Sequence, residues 1–407
     1  MRRVVVTGMG IVSSLGHTVA AAYERLKTPH NCVASSKELE TYKGLQTCLW
    51  APCGYERPGT YTRKVIRTMS PVSEMALFAT DQALAQAGLL GDPLVTGGRL
   101  GVAYGSCSGG VAANADFYSV LMNREVRNVT SSTYIKMMSQ TCAVNLSVHY
   151  GTTGRLLPTG TACTSGSLAV GEAYEAIRYG VQDMMIAGGA EEFSATQVAV
   201  FDTLFATSRR NDAPETTPRA FDRDRDGLVI GDGAATLILE DREHALARGA
   251  TVLAEIVGFG TNTDGRHVTQ PNAETMAVAL RLALEDATLA PTDVGYVNAH
   301  GTATDLGDVA EGAAMIAAFG AAKPLVSTIK GYTGHTLGAC GAIEAAMTIE
   351  MLRHGWFAPN LNLENPDPRC GEHDFITGSG QAREVEFAMS DNFAFGGVNT
   401  SLVFRRA

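Results

Sequence analysis

Short apolar runs rich in β-branched residues recur along the whole chain, and they constrain its fold more than any other feature. Each closes on glycine or a small polar residue: RRVVVTGMG, GRLGVAYGS, DMMIAGGAEE, GAATLILED, VGYVNAHGT and KPLVSTIKG. Between them, SEMALFATDQALAQAG and AIEAAMTIEMLRHG carry apolar residues at helical spacing and stop on glycine. Strands alternating with helices of this length predict an α/β protein with mostly parallel sheet. The 407 residues suffice for two such units, and 44 glycines against 7% aromatics suit many tight strand-to-helix turns. The most polar stretch, TSRRNDAPETTPRAFDRDRDG around 206–226, falls mid-chain and is expected to separate two α/β halves. No internal repeat is visible.

A net charge of −10 argues against nucleic-acid binding, which needs a broad basic surface. No run approaches the ~20 apolar residues of a membrane span. The apolar run after Arg2 and Arg3 is too short and too glycine-rich for a signal peptide, so a cytoplasmic protein is expected. The cysteines (Cys32, Cys48, Cys53, Cys107, Cys142, Cys163, Cys340, Cys370) include no CxxC pair, which leaves neither a zinc knuckle nor a redox dithiol. In a reducing compartment they are expected as free thiols.

Three patterns imitate cofactor sites and fail. Gly8-x-Gly10 follows a strand, but Ser13 stands where a dinucleotide fingerprint needs its third glycine. Asp222, Asp224, Asp226 and Gly227 begin like a calcium loop, but Gly233 holds the position of its terminal glutamate. Cys370 and His373 offer only two metal ligands on a proline-flanked loop.

TGTACTSGSLAVGEAYEAI places Cys163 among small polar residues just ahead of a helical pattern beginning near Ser165 or Ser167. A helix N-terminus favours thiolate over thiol. Locally, a packing residue, a redox partner, a metal ligand and a nucleophile all remain open for this cysteine. NAHGTATDLGD sets His300 directly after a strand, and KGYTGHTLGACGAIEAA sets His335 after a strand and turn, with Lys330 five residues earlier. Open α/β sheets bind ligands at the carboxyl ends of their strands. Convergence of Cys163, His300 and His335 there would permit cysteine-based acyl chemistry.

TACTSGS, NAHGTATDLGD, STIKGYTGHTLGACGAIEA and MSDNFAFGGVN together resemble the elongating β-ketoacyl-acyl carrier protein synthases, and the likeness runs through essentially the whole chain. It implies a thiolase-like fold of two similar α/β halves in a five-layered αβαβα arrangement, divided here as 1–240 and 241–407, and a homodimer. YTRKVIRTMS and FDTLFATSRRNDAP resemble the aryl-polyene branch more than housekeeping fatty-acid synthases. The resemblance implies decarboxylative Claisen condensation of an acyl-enzyme with malonyl-carrier protein, with no cofactor beyond the carrier's phosphopantetheine.

By the same resemblance, Cys163 is the nucleophile, and His300 and His335 promote malonyl decarboxylation. Lys330 holds the second histidine, Glu311 pairs with that lysine, and Asp308 supports it. Thr302 and Thr304 bind the pantetheine arm. Phe395 gates the site, and its backbone N–H joins that of Cys163 in the oxyanion hole. Thiolases carry a second catalytic cysteine, and initiating synthases carry asparagine for one histidine; GHTLGA around His335 reads as elongating. The alternatives are housekeeping fatty-acid elongation and a non-catalytic chain-length partner, which usually lacks the cysteine that stands here at Cys163; a heterodimer with a chain-length subunit is the alternative assembly.

Departures from the pattern are Ala394, where glycine usually precedes the gating phenylalanine, and Asp391. With Asn298, Glu344 and Ser390, Asp391 falls where the family holds a structural monovalent cation. Cys107, Met137 and Met138 are candidates for lining the acyl pocket. Arg63, Lys64 and Arg67, extended by Arg124 and Arg127, stand out on an acidic chain as a docking patch for an acidic carrier protein.

Overall fold

The computed structural model describes residues 1–407. One sheet takes in β1 (Val4–Val12), β2 (Leu100–Gly105), β3 (Leu156–Thr159), β4 (Met184–Glu191), β5 (Gly233–Asp241) and β6 (Ala254–Thr263). It continues through β7 (Val294–Asn298), β8 (Leu325–Ser327), β9 (Asp374–Phe375), β10 (Phe387–Phe393) and β11 (Val398–Arg406). The order is β9-β8-β7-β10-β11-β6-β1-β5-β4-β2-β3.

That order repeats outward from its middle. β1 through β5 lie as β1-β5-β4-β2-β3, and the second half lies as β6-β11-β10-β7-β8 with the short β9 added. The pairing senses repeat too. β2 is parallel to β3 and β4, while β4 to β5 and β5 to β1 are antiparallel. β7 is parallel to β8 and β10, while β10 to β11 and β11 to β6 are antiparallel. Two similar α/β halves are therefore present although the sequence shows no repeat. They join where Val4–Val6 pair with Ala254–Ile256.

The helices that matter here are α1 (Pro71–Gln86), α2 (Val111–Asn123), α3 (Ser131–Met137), α4 (Ser165–Arg178), α5 (Ala273–Ala287), α6 (Asp305–Phe319) and α7 (Cys340–His354). α1 packs on β1, β4 and β5, and α5 packs on β6 and β11, as outer layers. α4 and α7 lie between the halves, each touching strands of both. This is the five-layered thiolase-like arrangement. A helix enclosed on all sides must be apolar all round, and every residue from Cys340 to Leu352 is buried.

Two glycines bring the inner helices together. A Cβ on Gly166 would fall 2.9 Å from the Ala342 nitrogen, and one on Gly341 would fall 2.6 Å from the Ser167 nitrogen. Each lies four residues after a non-glycine residue with positive φ, Ala162 at 51° and Leu337 at 48°. The two turns are equivalent by the internal repeat, and one of them carries Cys163.

The polar stretch 206–226 does not separate the halves. β5, the last strand of the first half, follows it, and its Asp222 and Arg225 are buried. Asp222 accepts backbone N–H groups of Asp224, Glu364 and Asn365, so the calcium-like aspartate is spent on the chain itself. Gly8 and Gly10 serve close packing, since a Cβ at either would fall within 2.1 Å or 1.9 Å of an α1 carbonyl. No helix is long and apolar enough to cross a membrane.

Candidate active site

Cys163 follows β3, His300 follows β7, Lys330 and His335 follow β8, and Phe395 follows β10. All five stand at the carboxyl ends of parallel-paired strands, where strand direction leaves room for a ligand. The α4 helix begins at Ser165, and Cys163 sits in a single 3₁₀ turn just before it. Cys163, His300 and His335 are buried at the foot of a cavity of about 370 Å³. Thr302, Thr304 and Phe395 also line it, and exposed Phe205, Val268 and Leu306 form its rim.

The hydrogen bonds fix both imidazole tautomers. His335 Nε2 lies 3.0 Å from Cys163 Sγ, and its Nδ1 accepts the backbone N–H of Leu337 at 3.2 Å. His300 Nδ1 faces two donors, Lys330 Nζ at 3.1 Å and Asn392 Nδ2 at 3.3 Å. A ring nitrogen that accepts carries no proton, so each ring proton sits on Nε2. The two rings stand edge to face, 5.1 Å between centroids.

Burial, then the Lys330 charge, holds both histidines well below their usual range, so both are neutral donors at pH 7. Burial pushes the Cys163 thiol up to about 11, opposed by the Lys330 charge and the backbone N–H groups of Phe395 and Cys163. Loss of solvent thus outweighs what the helix N-terminus was expected to do for the thiolate. Cys163, His300 and His335 have ligand atoms close enough to share a soft metal ion. To do so through Nε2, each histidine would need the other tautomer and would lose its Nδ1 bond.

Two expected partnerships are corrected. Lys330 bonds His300, not the second histidine. Its carboxylate partner is Glu344 on α7, not Glu311. The side chain reaches from the turn after β8 to His300 on the loop after β7. Glu311, on α6, reaches back to accept the backbone N–H groups of His300 and Gly301 at 2.6 and 2.8 Å. Asp308 braces the same loop through the Ala303 and Phe221 N–H groups. The Thr302 and Thr304 hydroxyls lie 2.9 Å apart on the cavity wall.

Cys107, Met137 and Met138 do not line this cavity. The Cys107 N–H goes to buried Glu191, while the Met137 and Met138 carbonyls pack over Gly109 at the end of α3. Ala394 has no positive φ; Gly396 and Gly397, at 90° and 74°, carry the left-handed backbone of the gating loop. Both amide atoms of Asn298, Ser390 Oγ and Asp391 Oδ2 are buried without partners, whereas Glu344 is spent on Lys330 and Asn392. Asn298 and Ser390 stand side by side on the inner face of the sheet, but Asp391, the next residue of β10, faces the other side and takes the Ser401 hydroxyl, so these side-chain oxygens do not fit one cation site. Asn392 and Cys340 escaped sequence reading: Asn392 Nδ2 donates to Glu344 at 2.6 Å, and the Cys340 thiol donates to the Cys163 carbonyl at 3.1 Å.

The β-ketoacyl synthase N-terminal domain matches residues 1–245, and the β-ketoacyl synthase C-terminal domain matches residues 253–364. A 3-oxoacyl-[acyl-carrier-protein] synthase 2 from Vibrio cholerae is 38% identical, across 100% of this chain and 99% of that one. The crystal structure of a β-ketoacyl synthase from Burkholderia phymatum matches with a TM-score of 0.98 and 53% identity, 100% of both chains being covered. A type II polyketide ketosynthase solved with its acyl-carrier protein matches with a TM-score of 0.88 and 29% identity, over 100% of this chain and 99% of that one. The chain belongs to the β-ketoacyl synthase family. It is an acyltransferase of thiolase-like fold.

Proposed function

We propose that the protein condenses an acyl chain, held on Cys163, with malonyl-carrier protein, releasing CO₂ and extending the chain by two carbons. The observation that carries this is the Cys163 sulfur 3.0 Å from His335 Nε2, with the His300 ring beside it at the foot of a cavity.

Cys163 sulfur attacks the thioester carbonyl of the acyl-carrier protein. The carrier's thiolate leaves and takes up the proton that Cys163 gave. The backbone N–H groups of Cys163 and Phe395 stabilise the oxyanion. Malonyl thioester then enters along Thr302 and Thr304. Breaking its carbon–carboxylate bond leaves an electron pair that spreads onto the thioester oxygen. The His300 and His335 Nε2–H groups donate to that oxygen, and losing one such preorganised donor costs ~10²–10³ in rate. The enolate carbon attacks the acyl-enzyme carbonyl, and Cys163 departs. CO₂ loss supplies the carbanion, so the reaction calls for no organic cofactor.

The partner is an acidic carrier protein, received by exposed Arg63, Lys64 and Arg67 and by Arg124 and Arg127. The first three form no ion pair within the chain. The α2–α3 hairpin exposes Tyr118, Leu121, Met122, Val126 and Tyr134, and the adjoining half ends in edge strand β3. An exposed apolar surface beside an unpaired edge supports dimerisation there, with a second copy or with a chain-length subunit. The finer assignment, aryl-polyene extension over housekeeping fatty-acid elongation, is supported by the likeness of YTRKVIRTMS and FDTLFATSRRNDAP to that branch.

The test supplies acyl- and malonyl-carrier protein together and follows CO₂ and the β-ketoacyl product by mass. A product two carbons longer, formed with one CO₂, is expected. CO₂ release without any extended product would refute condensation. Comparing saturated with aryl-polyenoyl donors reads the pathway.

A further inference from the structure

Glu344 divides its two oxygens between two donors. Oε1 takes Lys330 Nζ, and Oε2 takes Asn392 Nδ2 at 2.6 Å. Both donors face the same lone pair, His300 Nδ1, at 3.1 and 3.3 Å. Lys330 is a flexible point charge whose field also reaches Cys163 and His335. Asn392 is a planar amide on β10, completely buried, and it faces His300 without touching Cys163.

Its other end is anomalous. Asn392 Oδ1 is buried and has no partner, an arrangement that destabilises a fold. Reversing the amide brings no relief, because it would set an oxygen against the Glu344 carboxylate. The chain even makes room for that idle oxygen, since a Cβ on Gly341 would fall 2.7 Å from it. The residue is kept for what Nδ2 does.

We propose that Asn392 is a positioning residue for His300. With Lys330 it holds Nδ1 as an acceptor, so that the ring proton sits on Nε2 and points where the enolate oxygen develops. This role rests on the condensing reading above. Lys330 acts on Cys163 directly, whereas Asn392 reaches it only through the Cys340 thiol, which it faces at 3.8 Å and which donates to the Cys163 carbonyl, so removing Asn392 weighs more on CO₂ release than on acylation. Losing the outer hydrogen bond that orients a metal-bound histidine typically costs ~10- to 100-fold, and a loss of the same order is expected for His300.

The test uses full-length protein carrying Asn392→Ala or Asn392→Asp, beside wild type. Cys163 acylation by acyl-carrier protein and CO₂ release from malonyl-carrier protein are measured separately, with ¹⁵N spectra of histidine-labelled protein. For Asn392→Ala, kcat for CO₂ release is expected to fall about tenfold with KM little changed, while acylation falls less. The His300 signal should pass from a single Nε2–H tautomer to a mixture. Asn392→Asp, which presents an acceptor to Nδ1, should lose more CO₂ release than Asn392→Ala. Acylation that survives in either variant shows that the site has folded. Unchanged CO₂ release, or equal loss in both half-reactions with the tautomer intact, would overturn the role. Wild-type protein inert in both assays would instead remove the condensing reading on which the role stands.

Discussion

At the scale of single residues, the site trades thiol acidity for enclosure. With the Cys163 thiol raised to about 11, only about one molecule in ten thousand carries the thiolate at pH 7. The sign is fixed: raising pH toward 11 increases the reactive form, about tenfold per unit. Iodoacetamide alkylation of Cys163 should therefore climb steadily between pH 7 and 10, and a plateau below pH 8 would mean a preformed thiolate. Lys330→Met removes a charge that favours the thiolate, so alkylation at pH 8 should slow further. Glu311 works on the backbone instead. Glu311→Ala leaves the His300 and Gly301 N–H groups buried without acceptors, at a cost of about 2–4 kcal/mol. Urea unfolding measures this, and a loss below about 0.5 kcal/mol would contradict the role.

The residue types that do chemistry were legible because they stand in short glycine-rich turns after strands, a setting that periodicity and turn composition expose. Their partners were not. Lys330 can reach any group within the length of its stem, and sequence spacing does not say that α7, rather than α6, passes beneath it. Asn392 and Cys340 read as ordinary strand and helix residues until the strands are laid side by side. Cys107 packs against the apolar cluster around Cys163 without lining the entrance cavity; which side of that cluster a strand-end residue meets is a tertiary property.

At the scale of elements, the crossing of α4 and α7 sets the distance between nucleophile and histidine. Their N-terminal turns meet at Gly166 and Gly341 with no space for a side chain. Gly166→Ala should cost about 1–3 kcal/mol, as overpacking of a dense interior does. It should also weaken Cys163 alkylation, because any relief moves Cys163 and His335 apart. Stability within about 0.5 kcal/mol of wild type, with normal alkylation, would show that the helices are free to adjust. The alternation of strands and helices was written plainly in the sequence, whereas the repeat of strand order was not. Strand order is set by which edges meet, and two halves can share it without sharing side chains.

At the scale of the whole molecule, an acidic protein presents exposed cations at 63–67, and the neighbouring hairpin adds Arg124 and Arg127. The Gly110 N–H donates to the Lys136 carbonyl at 2.7 Å and closes the base of that hairpin, and a Cβ on Gly110 would fall 2.0 Å from Ser70 Oγ, so the base packs against the start of α1. If this surface receives a carrier, Arg63→Glu with Arg67→Glu should raise KM for carrier-borne substrate about tenfold or more and spare pantetheine thioesters. Raised salt should mimic the change. Equal loss on both substrates would remove the docking role.

Everything above turns on Cys163 being the residue that carries the acyl chain. Intact-protein mass spectrometry after incubation with acyl-carrier protein, beside Cys163→Ala, tests that most directly. One acyl mass gained by the wild type and none by the variant is the predicted result. An adduct that persists in Cys163→Ala, or no adduct with any acyl chain on folded wild-type protein, would contradict it.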